Sequence, residues 1–191
     1  MKFKCFGVSV TLNFSFFALL VFVSVGNKSI HLLPAMLFSL LHECGHFCAL
    51  AVFKEYTSCL KIGFFGGEIV RRGYCGNYYK EVIINLAGPL VNIVAAVLCY
   101  LFCRKTLFYV SVAIALFNLL PIETLDGGRA LCAILCTKKD RCFAETAVTV
   151  ISYCVCVPMI ILSFALLFHN MGNIQLCFVS VYILLSLIFK K

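Results

Sequence analysis

The sequence predicts an all-α polytopic membrane protein with six transmembrane helices and a small β-hairpin between the second and third spans. Hydrophobic residues make up 63% of the 191 residues, and the mean hydropathy is +1.04. Soluble domains are roughly 45–50% apolar, so a water-soluble fold could not bury this much apolar surface. An apolar segment of about 20 residues can cross a bilayer. Six apolar segments occur, at residues 6–25, 30–53, 82–103, 107–120, 143–168 and 174–189.

Turn-forming residues separate these spans. Residues 26–29 form a turn before the second span, and alternation of apolar and polar side chains over residues 8–13 predicts a short strand before the first helix. The polar stretch after the second span alternates over residues 60–64 and continues with two glycines, which predicts the β-hairpin. Pro121 ends the fourth span, and Pro158 is expected to kink the fifth.

The basic residues predict the orientation in the membrane. The net charge is +8, but the Lys and Arg residues lie at the ends of apolar segments, so we exclude nucleic acid as a partner. With six spans in the lipid bilayer, all but three of the 16 basic residues fall on the side of the N-terminus; the exceptions are Lys28, Arg104 and Lys105. We therefore expect an integral membrane protein whose N- and C-termini both face the cytoplasm.

A His-Glu-x-x-His motif, which begins at His42 and ends at His46, lies in the second span. Side chains four residues apart project from one face of a helix, so both imidazoles can reach one zinc ion. Glu43 is placed to act as a general base on zinc-bound water rather than to bind the metal. Because ionisable groups are costly at membrane depth, their presence here favours a functional site over a chance match.

Asp126 is the predicted third zinc ligand. It is one of only two aspartates in the chain, and it follows the cytoplasmic end of the fourth span, at the depth of the His-Glu motif. A carboxylate in this apolar context needs a partner, and zinc would be one. We predict one Zn²⁺ per chain, held by His42, His46 and Asp126 with water in the fourth position, which is the catalytic pattern. With Glu43 as the base, such a site hydrolyses peptide bonds.

Two further features bear on the substrate. Asn85 and Asn92 are seven residues apart on the third span and share a face, where either interhelical hydrogen bonding or an active-site role is open to them. An exposed edge of the hairpin, between residues 60 and 72, could hold an extended substrate by strand addition.

Three motifs occur in order along the chain: His42-Glu43-x-x-His46, then Asn85-x-x-Gly88-Pro89, then Asn118-x-x-Pro121 leading to Leu125-Asp126-Gly127-Gly128. Together they resemble the site-2 protease family of intramembrane zinc metalloproteases, and the branch of stage IV sporulation protein FB is the nearest match. The resemblance implies a zinc endopeptidase that cleaves transmembrane or membrane-associated proteins near the cytoplasmic face of a bacterial cell membrane, in regulated proteolysis.

The resemblance also implies partners and substrate contacts. Asn118 and Pro121 are expected to contact the substrate backbone, and Asn85 is added as a third candidate substrate-binding residue. In the sporulation branch the substrate is an inactive sigma-factor precursor, and regulatory membrane proteins inhibit its processing. No CBS or PDZ domain is expected, so residues 1–191 are predicted to form one membrane-embedded peptidase domain. Glu123 departs from the family pattern by placing a charge in the substrate loop, and Arg129 is its expected partner.

Two alternatives stay open. A membrane zinc-binding or transport protein would distribute polar ligands along several spans, whereas the ionisable groups here cluster at one depth. A prenyl-protein type of membrane metalloprotease would use a glutamate as the third ligand, for which Glu145 is the candidate.

Overall fold

We describe a computed structural model, which covers residues 2–5, 8–12, 32–53, 59–63, 66–70, 77–168 and 174–189, with side chains described for 33–53, 77–168 and 177–188. Six helices occur in this part of the chain: α1 (Leu32–Val52), α2 (Tyr78–Leu101), α3 (Lys105–Asn118), α4 (Asp126–Cys136), α5 (Arg141–Phe168) and α6 (Ile174–Phe189). The same residues include four short strands: β1 (Lys2–Cys5), β2 (Val8–Leu12), β3 (Cys59–Gly63) and β4 (Gly66–Val70).

Three of the described helices, α1, α2 and α5, are long and apolar enough to cross a membrane. Helices α3 and α6 are apolar but shorter than a full span. The structure therefore supports an integral membrane protein but not all six predicted spans. In the first predicted span, residues 8–12 form strand β2, and residues 13–31 lie outside the described part of the chain.

Several helix bounds differ from the prediction, and for the start of α2 the reason can be identified. Helix α2 begins at Tyr78 rather than at residue 82, because the Asn77 side chain accepts a hydrogen bond from the backbone N–H of Tyr79 (3.0 Å) and caps the helix. Hydropathy alone cannot detect this polar first turn. Helix α3 ends at Asn118, two residues before the predicted end, and α5 continues through Pro158.

The strands form one sheet in the order β1-β2-β3-β4. Strands β3 and β4 pair antiparallel from Cys59 opposite Val70 to Gly63 opposite Gly66, in the stretch where the alternation predicts a hairpin. Strands β2 and β3 pair in parallel, with Val10 opposite Leu60. Because parallel strands need a crossover connection, the segment that contains α1 serves as the crossover between them.

Helix α2 is the centre of the helical assembly, since it packs against α1, α3 and α4. Small residues permit close approach: a Cβ added at Gly45 of α1 would lie 2.8 Å from the carbonyl oxygen of Ala87 on α2. The buried Ser111 hydroxyl of α3 donates to the Asn92 carbonyl oxygen of α2 (2.8 Å). A second cluster forms where Ile122, in the loop before α4, packs with Cys156 of α5 and with Ile183 and Leu187 of α6.

Candidate metal centre

Three side chains from two helices converge on one point. His42 Nε2 and His46 Nε2 of α1 lie 2.8 Å and 3.1 Å from the same oxygen of Asp126, Oδ2, and the two nitrogens are 3.2 Å apart. The imidazoles are buried, and the Asp126 side chain is only 13% exposed. These three residues are the ones that the sequence predicts as metal ligands. The structure brings them together although Asp126 lies 84 positions after His42 and 80 after His46.

Asp126 is placed by the loop at residues 119–125 and the glycines after it. Asp126 is the first residue of α4, where its negative charge interacts favourably with the helix dipole. A Cβ added at Gly127 would collide with the carbonyl oxygen of Leu119, and one at Gly128 with that of Ile122. The loop can therefore fold back onto the first turn of α4 only because these two positions lack side chains, which explains the Asp-Gly-Gly sequence physically.

The other ring nitrogen of each imidazole contacts α2. His46 Nδ1 lies 2.7 Å from the Ile84 carbonyl oxygen, which can only accept a hydrogen bond, so Nδ1 of His46 carries a proton. In a neutral imidazole the lone pair is then on Nε2, which faces Asp126 and His42. His42 Nδ1 lies 3.2 Å from the side-chain amide of Asn92. Both Nε2 atoms are thus oriented toward the point of convergence.

The donor set fits a zinc ion. Two imidazole nitrogens and a carboxylate oxygen are typical zinc ligands, and ligand atoms about 2.0–2.1 Å from a tetrahedral zinc lie about 3.3 Å apart. The observed separations of 2.8–3.2 Å are close to this value. Three electron-rich atoms at such distances require positive charge, either protons or a metal cation. Burial alone would raise the pKa of the Asp126 carboxyl, but the hydrogen-bonding imidazoles hold that pKa below its ordinary value, so Asp126 stays ionised.

Gly88 of α2 provides the space beside the imidazoles. A Cβ at this position would collide with His46 Nε2 and lie 2.7 Å from His42 Nε2. Position 88 must therefore lack a side chain if the two nitrogens are to share an ion. From the sequence, Gly88 is expected to permit close helix packing. In the structure it also leaves space for the two imidazoles.

Glu43 lies beside the three ligand atoms without being one of them. Its carboxylate is close enough to His46, His42, Asp126 and Arg129 for charge interactions with each. Among the described residues, the cluster with ligand atoms within 4.8 Å of one another contains His42, His46 and Asp126 but not Glu43. This arrangement matches a base next to a metal rather than a fourth ligand.

The predicted substrate-binding residues lie on the elements that form the centre. Asn118 ends α3, and its side chain donates to the Ile114 carbonyl oxygen (3.0 Å) of the same helix. Pro121 lies in the loop that leads to Asp126 and is partly exposed. Asn85 is buried on α2, next to the Ile84 carbonyl that accepts from His46. The contact of these three residues with a substrate stays a prediction.

Two carboxylates considered from the sequence lie elsewhere. Glu145 pairs with Arg141 on the same helix (2.6 Å), is about half exposed, and is not part of the described metal cluster. The Glu123 carboxylate accepts a hydrogen bond from Thr149 Oγ1 (3.0 Å), and the backbone N–H of Glu123 donates to Ser152 Oγ (2.8 Å). Helix α5 therefore holds this loop residue.

The sequence did not predict the contact of His46 with the Ile84 carbonyl oxygen, because a backbone acceptor has no sequence signal.

Comparisons with known proteins agree with this fold. The solved structure of the site-2 protease from Methanocaldococcus jannaschii superposes with a TM-score of 0.73 at 24% identity, covering 98% of this chain and 93% of that chain, so the fold is that of a site-2 protease. Residues 103–163 match the family model of Peptidase family M50. A curated zinc metalloprotease of the same organism is 28% identical over 162 residues, 71% of this chain.

The family-model match covers residues 103–163, which is less than half of the chain. The chain spans about half of the curated relative's length, 45% in the alignment. The predicted branch of stage IV sporulation protein FB is not confirmed.

Proposed function

We propose that the chain is an intramembrane zinc endopeptidase of the site-2 protease type. The observation that carries this proposal is the convergence of two imidazoles and one carboxylate beside Glu43, within an assembly of apolar helices. A buried charged cluster in such an assembly is expensive to maintain and is expected to serve function. The family similarity independently points to the same activity.

His42, His46 and Asp126 would hold one zinc ion per chain. When bound, zinc supplies Lewis acidity, which activates water and polarises the peptide carbonyl. The protein's own groups complete the reaction. Glu43 takes a proton from the attacking water and passes it to the nitrogen of the leaving amine.

The substrate would enter as an extended segment of a membrane protein, because a helical peptide bond is shielded from attack. Strand β4 is the last strand in the order of the described sheet, so its outer edge is open to strand addition. Asn118, Pro121 and Asn85 would contact the substrate near the centre, as the resemblance to the family implies. The exposed surfaces of α2 and α5 carry many large hydrophobic side chains, which suits lateral access of a transmembrane substrate.

The proposal also includes predictions on membrane topology, domain organisation and biological role. They are six spans, both termini in the cytoplasm, a site near the cytoplasmic face of a bacterial membrane, and a single peptidase domain over residues 1–191. Regulated proteolysis of a sigma-factor precursor, under inhibitory membrane partners, is the corresponding pathway. The excess of Lys and Arg on the N-terminal side and the resemblance to the sporulation branch support them.

A cleavage assay with the purified protein in proteoliposomes tests the proposal. The probe is a panel of fluorescently labelled single-span membrane proteins, and the variant is Glu43→Gln, which keeps size and polarity but removes the base. We expect at least about a 100-fold loss of cleavage rate. Glu145→Gln is the matched control, because the same change is made at an exposed carboxylate outside the cluster. Equal rates for Glu43→Gln and the wild type would refute the role of the base.

A further inference from the structure

Helix α2 contributes no metal ligand, yet it contacts both imidazoles. Ile84, Gly88 and Asn92 follow one another at intervals of four residues, so they form a stripe on one face of α2. The Ile84 carbonyl oxygen lies 2.7 Å from His46 Nδ1, Gly88 leaves room at both Nε2 atoms, and the Asn92 amide lies 3.2 Å from His42 Nδ1. Each imidazole therefore has its own partner on this stripe.

Asn92 is held firmly in this position. Its exposed fraction is 0%, and its backbone carbonyl accepts from the buried Ser111 hydroxyl of α3 (2.8 Å). Its side-chain Nδ2 faces His42, whereas its Oδ1 is buried and has no hydrogen-bond partner among the described residues. The contact with His42 therefore decides whether Nδ2 or Oδ1 of the Asn92 side chain faces the imidazole.

The proton on His42 determines the orientation. An imidazole that binds a metal through Nε2 carries its proton on Nδ1, so the atom that faces Nδ1 must be an acceptor. A half-turn of the Asn92 amide about its last side-chain bond brings Oδ1 to this place. The turn breaks no other side-chain hydrogen bond, because the opposite end of the amide has none in the described structure.

We propose that Asn92 is a positioning residue, whose Oδ1 accepts the Nδ1 proton of metal-bound His42 and fixes the tautomer and ring orientation of that ligand. The inference rests on the proposed zinc site. His46 receives the same support from a backbone carbonyl, which substitution cannot remove. His42 depends on a side chain, so its support can be tested directly.

The experiment measures the zinc affinity of the purified protein by competition with a chelator of known affinity. Asn92→Leu has a similar volume but no acceptor, and outer-shell changes of this kind cost about 10- to 100-fold in metal affinity. Asn92→Asp keeps an acceptor toward His42 and should bind zinc within a few-fold of the wild type. Ser163→Ala, which removes a buried hydroxyl contact between α5 and α6, should leave the zinc affinity unchanged.

The absorption spectrum of the Co²⁺-substituted protein gives a second readout, since it reports ligand geometry rather than folding. We expect an altered spectrum for Asn92→Leu and a wild-type spectrum for Asn92→Asp. Wild-type zinc affinity in Asn92→Leu would overturn the inference, and so would equal losses in the Leu and Asp variants. If Asn92→Leu does not fold, Asn92→Asp decides, because a loss above tenfold contradicts the proposed acceptor. Failure of the wild type itself to bind zinc would instead overturn the proposed function, and this inference with it.

Discussion

Substitution of Gly88 by alanine tests the metal centre by filling the space beside the two imidazoles, without changing a predicted ligand. The added Cβ would collide with His46 Nε2 and lie 2.7 Å from His42 Nε2, whereas ordinary van der Waals contact begins at 3.4 Å. His42 would therefore have to move by about 0.7 Å and His46 by more, which exceeds the tolerance of about 0.5 Å for a preorganised site. We expect the zinc dissociation constant to rise at least about 100-fold, equivalent to about 2.7 kcal/mol.

The assay is chelator competition on the detergent-purified protein, followed by the cleavage assay at saturating zinc. Gly45→Ala is the matched control, because its Cβ would crowd the same α1–α2 contact, at the Ala87 carbonyl oxygen and the Val91 side chain, without approaching the imidazole nitrogens. The control should lower the melting temperature and leave the zinc affinity unchanged. Wild-type zinc affinity in Gly88→Ala would refute the reasoning that the two Nε2 atoms share an ion beside α2.

Two further predictions concern the loop and the sheet. Gly128→Ala places a Cβ against the Ile122 carbonyl oxygen, so we expect a lower melting temperature and weaker zinc binding as Asp126 is displaced; unchanged values of both would contradict the role of this loop. Neighbouring N–H groups of a strand point to opposite sides, so one of Glu68→Pro and Ile69→Pro must remove a donor from the outer edge of β4. That variant should cleave extended substrates more slowly with zinc content unchanged, and normal cleavage by both variants would rule out strand addition.

The convergence of His42, His46 and Asp126 could be predicted from the sequence because the signals are local. His42 and His46 are four residues apart within one apolar segment, and an aspartate in an apolar context is rare enough to be noticed. The orientation inferred from basic residues then placed Asp126 at the same depth. The close contacts of Gly127 and Gly128 with the preceding loop also agree with the turn predicted there.

The supporting contacts could not be predicted, because they depend on how helices meet. Ile84 acts through its backbone carbonyl, which every residue has, and Asn92 reaches His42 only in the observed packing of α1 against α2. Hydropathy alone also does not decide whether α3 and α6 cross the bilayer, since both are apolar but shorter than a full span.

Zinc content of the detergent-purified protein, measured for the wild type beside Asp126→Ala and Glu43→Gln, tests the central claim most directly. The structure predicts about one zinc per chain in the wild type, because three ligands converge on a single point. The metal should be lost in Asp126→Ala and kept in Glu43→Gln, since the first removes a ligand and the second a neighbouring base. Full zinc content in Asp126→Ala, or none in the reconstituted wild type, would contradict the proposed metal centre.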